Sequence, residues 1–136
     1  MNGIGDTMTS ECRGALSILL VTSDLMVASR IAGAAGPIPA TLESMGPAAE
    51  PKGGPYDVIV VDLQSAGRGA TDLVSRAKAI ADAQIHLRPA KIVAFGPHVA
   101  VDRLAEASAA GADLVVTRGE ALQSLPAVVN KVLFRS

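Results

Sequence analysis

Aromatic residues are nearly missing from this 136-residue chain, which has no Trp, one Tyr and two Phe. That scarcity excludes a stacking platform for single-stranded nucleic acid, and it weakens any flavin-stacking reading. Cysteine is equally scarce. Cys12 stands alone, so no disulfide framework forms within one chain. A reducing cytoplasm is the simpler expectation, with Cys12 an inert thiol in a tail. Neither sign of charge predominates. The formal net charge is -1, and no Lys/Arg cluster offers a footprint for a phosphate backbone. No apolar run reaches the roughly 18 residues of a membrane span. Met1 to Gly14 lacks a basic region followed by an apolar one, so it does not read as a signal peptide.

What is present is aliphatic. Hydrophobic residues make up 49% of the chain, which is incompatible with a disordered polymer. The length predicts one domain, here residues 16–136, preceded by a flexible tail over 1–15. Strand and helix signals alternate from residue 16 onward. Leu16 to Thr22, Tyr56 to Asp62, Lys91 to Phe95 and Asp113 to Thr117 are short apolar runs of the kind that fill a buried parallel strand. Ala40 to Met45 is a weaker strand. Helical spacing covers Leu25 to Ala35, Thr71 to Ala83, Val99 to Ala110 and the segment opened by Ser124-Leu125-Pro126. Ser23 or Asp24 supplies the first cap, and Gly36-Pro37 ends that helix.

Between Gly46 and Pro55 lie three prolines and three glycines, so the helix expected of a parallel crossover is shortened or lost there. The prediction is an α/β fold: a doubly wound, five-stranded parallel sheet of order 2-1-3-4-5, with right-handed crossovers.

In such sheets ligands and chemistry gather beyond the carboxyl ends of the strands. Asp62 stands there, at the end of the Val58-Ile59-Val60-Val61 run. Thr22-Ser23-Asp24 ends the first strand, Gly96 follows the fourth, and Thr117-Arg118 ends the fifth. This arrangement resembles the receiver domain of bacterial response regulators, the CheY-like, flavodoxin-like fold, over about residues 16 to 135. The resemblance is closest at Tyr56 to Asp62 and at Gly111-Ala112-Asp113.

That resemblance implies a set of roles. Asp62 matches the phosphoryl acceptor and Asp24 the second of two metal-binding acids. Gln64 would lend a main-chain carbonyl to Mg²⁺, and Arg118 stands where the family has a phosphoryl-binding lysine. Three departures follow. Ser23 replaces the first acid, Gly96 offers no hydroxyl where the family has Ser or Thr, and Gly119 stands where a Pro commonly follows. Fewer carboxylates mean weaker Mg²⁺ binding, and Arg is not a compact ammonium.

The chain therefore reads as a degenerate receiver, a pseudo-receiver. It is expected to act as a non-enzymatic, stand-alone regulatory module of two-component signal transduction. It would bind a protein partner, including a second copy through its last helices, without nucleic acid or membrane. No DNA-binding segment follows before Ser136, so it is expected to act alone or through a partner. Two alternatives stand beside this reading. One is a working receiver in a phosphorelay, phosphorylated on Asp62 by a histidine kinase. The other is a small flavodoxin-like nucleotide or flavin binder, although no glycine-rich loop follows the first strand.

Asp62 is otherwise a strand-end carboxylate that caps a turn or pairs with Arg118, and Asp24 a helix cap. The expected arrangement is Arg118 bridging both carboxylates. Gly67-Arg68-Gly69 reads as a loop rather than an anion nest, and His86 and His98 as surface residues.

Overall fold

The computed structural model describes residues 16–35, 40–66, 70–84, 90–97 and 99–134. Five strands make one sheet: β1 Leu16–Val21, β2 Ala40–Met45, β3 Val58–Asp62, β4 Lys91–Gly96 and β5 Leu114–Thr117. Every neighbouring pair is parallel, and the order is β2-β1-β3-β4-β5, as predicted. Successive residues of a strand face opposite sides. Leu19, Val21, Ile59, Val61, Ile92 and Ala94 enter one core layer. Ile18, Leu20, Val58, Val60, Val93 and Phe95 enter the other. With a core on each face, the sequence shows unbroken apolar runs in place of alternation.

Five helices flank the sheet: α1 Leu25–Ala35, α2 Ala70–Ala83, α3 Val101–Ala110, α4 Arg118–Gln123 and α5 Leu125–Phe134. The predicted helices all form, with ends shifted by at most two residues. Helix α1 buries Val27 and Ile31 in the second layer, beside Ala121 of α4 and Leu125, Val128, Val129 and Val132 of α5. Helix α2 seals the first layer with Leu73, Val74, Ala77 and Ala81. Helix α3 joins it more lightly, with Ala107 alone fully buried and no side-chain cap at Ala100. It stops at Gly111, whose φ of 114° is a left-handed conformation that suits glycine.

Helix α4 is an addition to the predicted set. Its signal is the tetrapeptide Thr117-Arg118-Gly119-Glu120, a capping box. The Thr117 hydroxyl accepts from Glu120 N–H at 3.2 Å, and the Glu120 carboxylate accepts from Thr117 N–H at 3.1 Å. One turn and a half is too short for an apolar period to stand out.

No helix lies between β2 and β3. The connecting loop is nevertheless built. Glu43, on β2, accepts hydrogen bonds from Lys52 N–H at 2.8 Å, Gly53 N–H at 2.9 Å and the Tyr56 hydroxyl at 2.6 Å. Gln84 then clasps the Tyr56 backbone, accepting from its N–H at 2.9 Å and donating to its carbonyl at 2.8 Å. The loop that the sequence leaves undefined is thus pinned along its second half, from Lys52 to Tyr56. The tail 1–15 with Cys12, the Gly36-Pro37 stop, the Gly67-Arg68-Gly69 loop, His86 and His98 lie outside the described residues.

This clasp titrates. Burial alone would raise the Glu43 value, but the bonds from Lys52, Tyr56 and Gly53 outweigh it and hold Glu43 below its ordinary 4.5. Burial, then the bond to Glu43, pushes Tyr56 up to about 12. The Glu43 contribution to stability is complete above pH 4.5 and is lost as pH falls below it. That of Tyr56 is complete below pH 10.0 and is lost as pH rises through about 12. Tyr56 is the sole tyrosine, so phenolate absorbance reads it directly. The midpoint is expected near about 12 and is expected to fall toward 10.0 in Glu43→Gln.

Candidate functional site

The register of the central strands places the site. Val21 pairs with Val61, so the next residues, Thr22 and Asp62, leave the sheet side by side. The Asp62 carboxylate is 1% exposed and Thr22 is 7% exposed. A carboxylate so far from water needs donors. The Thr22 hydroxyl donates to Asp62 Oδ2 at 2.7 Å, and the Ser65 hydroxyl reaches the same oxygen at 3.3 Å. Gln64 N–H donates to Asp62 Oδ1 at 3.1 Å. This last bond is an Asx-type cap. It starts the 3-10 turn Leu63–Ala66 that delivers Ser65.

Ser65 closes the remaining space. Its Oγ accepts from Ser23 N–H at 2.8 Å and from the Ser23 hydroxyl at 3.1 Å, and lies 3.4 Å from the Thr22 hydroxyl. The result is a cluster of three hydroxyls, Thr22, Ser23 and Ser65, between the end of β1 and Asp62. Neither Thr22 nor Ser65 stood out as a site residue in the sequence. Their signal is weak, because a hydroxyl next to a strand end is common and only the register brings these two together.

Asp24 turns away from this cluster. Its Oδ1 accepts from Met26 N–H at 2.9 Å and Val27 N–H at 3.4 Å, the geometry of a helix N-cap. Between the two candidates for that cap, the structure selects Asp24 over Ser23.

Arg118 also departs from expectation. Its guanidinium donates to the Gln64 side-chain oxygen, and among the described residues it bridges neither Asp62 nor Asp24. The bridged arrangement is therefore corrected, and the reason lies in the partners each carboxylate already has: Thr22, Ser65 and Gln64 N–H engage Asp62, and Asp24 caps its helix. The guanidinium meets the exposed amide on the rim and leaves the desolvated carboxylate to the hydroxyls. Arg103 of α3 donates to the Leu63 carbonyl at 2.8 Å, tying a second element to the turn after Asp62.

These donors do not fit a metal cage of the kind that receivers build. Asp62 is engaged by hydroxyls and an amide, Asp24 caps a helix, and Ser23 brings no charge. Among the described residues no group of three or more His, Cys, Asp or Glu is placed to hold a metal ion.

Comparisons with known proteins agree on the architecture. No family model matches the chain, and no curated protein does. Solved structures do. Full-length FixJ from B. japonicum superposes with a TM-score of 0.66 at 16% identity, over 87% of this chain and 57% of that one. The receiver domain of the TMAO respiratory system response regulator TorR also gives 0.66 at 16% identity, over 88% and 98% of the two chains. The co-crystal structure of the Saccharomyces cerevisiae histidine phosphotransfer protein Ypd1 with the receiver domain of its response regulator Ssk1 gives 0.61 at 14% identity, over 87% and 88%.

The chain has the receiver-domain fold.

In this receiver fold the hydroxyl cluster carries structural weight and the rim arginine little. Thr22→Val removes the shortest bond to a buried carboxylate and is expected to cost about 1–3 kcal/mol. Arg118→Ala, at a half-exposed contact, is expected to cost less than about 1 kcal/mol. Urea unfolding of the two variants checks the ranking.

Proposed function

We propose that this chain is a pseudo-receiver: a protein-interaction and regulatory module of two-component-type signalling that works without a phosphoryl group on Asp62. The observation that carries this reading is the engagement of the buried Asp62 carboxylate by Thr22, Ser65 and Gln64. Phosphoryl transfer depends on positioning and on neutralising spreading negative charge. Here Ser23 stands in place of an acid, Gly96 offers no hydroxyl, and Arg118 is engaged with Gln64. In this reading the protein is not an enzyme and acts in the cytoplasm. No described helix is long and apolar enough to cross a membrane.

The partner is a protein, and it docks on the rim around the site. Leu25, Met26, Val99 and Val101 are 86%, 70%, 75% and 66% exposed. All four follow the carboxyl ends of β1 and β4, the strands that flank β3. These are the large apolar side chains that stand exposed among the described ones, and their gathering on the rim supports docking there. The Ypd1–Ssk1 co-crystal structure provides a precedent for a protein bound to a receiver domain.

The test is an NMR titration with Mg²⁺ and beryllium fluoride, following the amides of Thr22, Asp62 and Gln64. The expected result is no saturable shift at millimolar concentrations. A saturable, Mg²⁺-dependent shift that is abolished by Asp62→Asn establishes the phospho-accepting reading instead. The double variant Thr22→Asp/Gly96→Ser, which removes the shortest bond to Asp62 and sets an acid beside it, is expected to gain that response. The atoms nearest a β-carbon at Gly96 belong to Leu104 and Leu63, at 3.6 Å, which is ordinary contact.

A further inference from the structure

The loop that replaces the crossover helix leaves a cleft at the opposite end of the molecule from Asp62. Tyr56 precedes β3 and Gln84 follows α2, so both sit at the amino edge of the sheet. The cleft has a volume of about 680 Å³. That falls within the range of about 300–1,000 Å³ typical of small-molecule sites. One wall is the loop, with Pro51, Pro55 and Tyr56, and the other is the outer side of α2, with Arg76, Ile80 and Ala83.

The polar groups in this lining fall into two kinds. Tyr56 and Gln84 are spent on the frame, bonded to Glu43 and to each other's segment. They make a preformed wall. Arg76 is different. Its Nη2 donates to the Ala49 carbonyl and lies 3.4 Å from Glu50, whose side chain is 86% exposed. Its Nε is buried and has no hydrogen-bond partner. The guanidinium side chain keeps 34% of its surface open. An exposed carboxylate at that distance is a weak, replaceable counter-ion.

We propose that this cleft is a binding site for a small amphiphilic anion, an apolar body bearing one carboxylate. The carboxylate displaces Glu50 and engages the Arg76 guanidinium, whose planar fork suits that group. The apolar body lies against Ile80, Ala83 and the two prolines. The site shares no residue with the Asp62 cluster, so it stands or falls independently of the pseudo-receiver reading.

The full chain, with no Trp and Tyr56 its one tyrosine, carries its own reporter in the cleft. Decanoate is the probe, followed by Tyr56 emission. The expected result is a saturable change, with decanol at least about tenfold weaker, as befits the loss of one charge-assisted hydrogen bond. Arg76→Met is expected to weaken decanoate to the same degree.

Ala83→Phe, at an exposed position of α2, narrows the cleft without touching the arginine and is expected to weaken the response. Circular dichroism checks that both variants stay folded. An Arg76→Met variant that unfolds leaves the decision to Ala83→Phe and to the decanoate/decanol ratio. No saturable response to decanoate overturns the proposal. Equal affinity for decanol, or unchanged binding in the folded Ala83→Phe variant, overturns it as well.

Discussion

The two-sided burial of β3 is the constraint on which the rest of this structure depends. A strand covered on both faces has no place for a charge except at its end. Val58 to Val61 are each 0% exposed, and Asp62, the first polar residue after them, is only 1% exposed. The sheet delivers that carboxylate into a nearly dry position, and something must meet its lone pairs. Parallel pairing with β1 settles what does. It brings Thr22 alongside, and the turn that Asp62 itself caps returns Ser65 to the same oxygen. The polar cluster is thus a consequence of the core, produced by register and by one Asx-type bond.

Much of this was legible in the residues. Unbroken Val/Ile runs between helical spacings fixed a parallel sheet, and the positions of Gly, Pro and Asp fixed most boundaries. Even the weak strand Ala40–Met45 formed as read, because its edge position calls for only partial apolar character. The absent crossover helix was legible for a simple reason: three prolines and three glycines within ten residues, Gly46 to Pro55, cannot sustain one.

Side-chain partnerships were less legible. Arg118 opposite two carboxylates invites an ion pair on charge alone, yet Asp62 is buried behind its own donors, Asp24 is turned to its helix, and the guanidinium meets Gln64. Ser65 and Thr22 are ordinary residues in ordinary places, brought together from 43 positions apart by the sheet register. The Glu43–Tyr56 clasp likewise joins residues that no periodicity links. Helix α4 was hidden by brevity, since a six-residue element shows its cap before it shows a face. Local signals survive in a sequence, whereas contacts made by register must be built before they can be read.

Helix α3 carries an implication of its own. It buries one alanine wholly and Leu104 and Ala110 in part, its start is uncapped, and Arg103 ties it to the Leu63 carbonyl. An element with so little apolar anchorage breathes at lower free energy than the sheet beneath it. An opening of the helix would part Arg103 from the carbonyl next to Asp62. Through that bond the helix and the turn carrying the hydroxyls are mechanically joined, so looseness in one bears on the other.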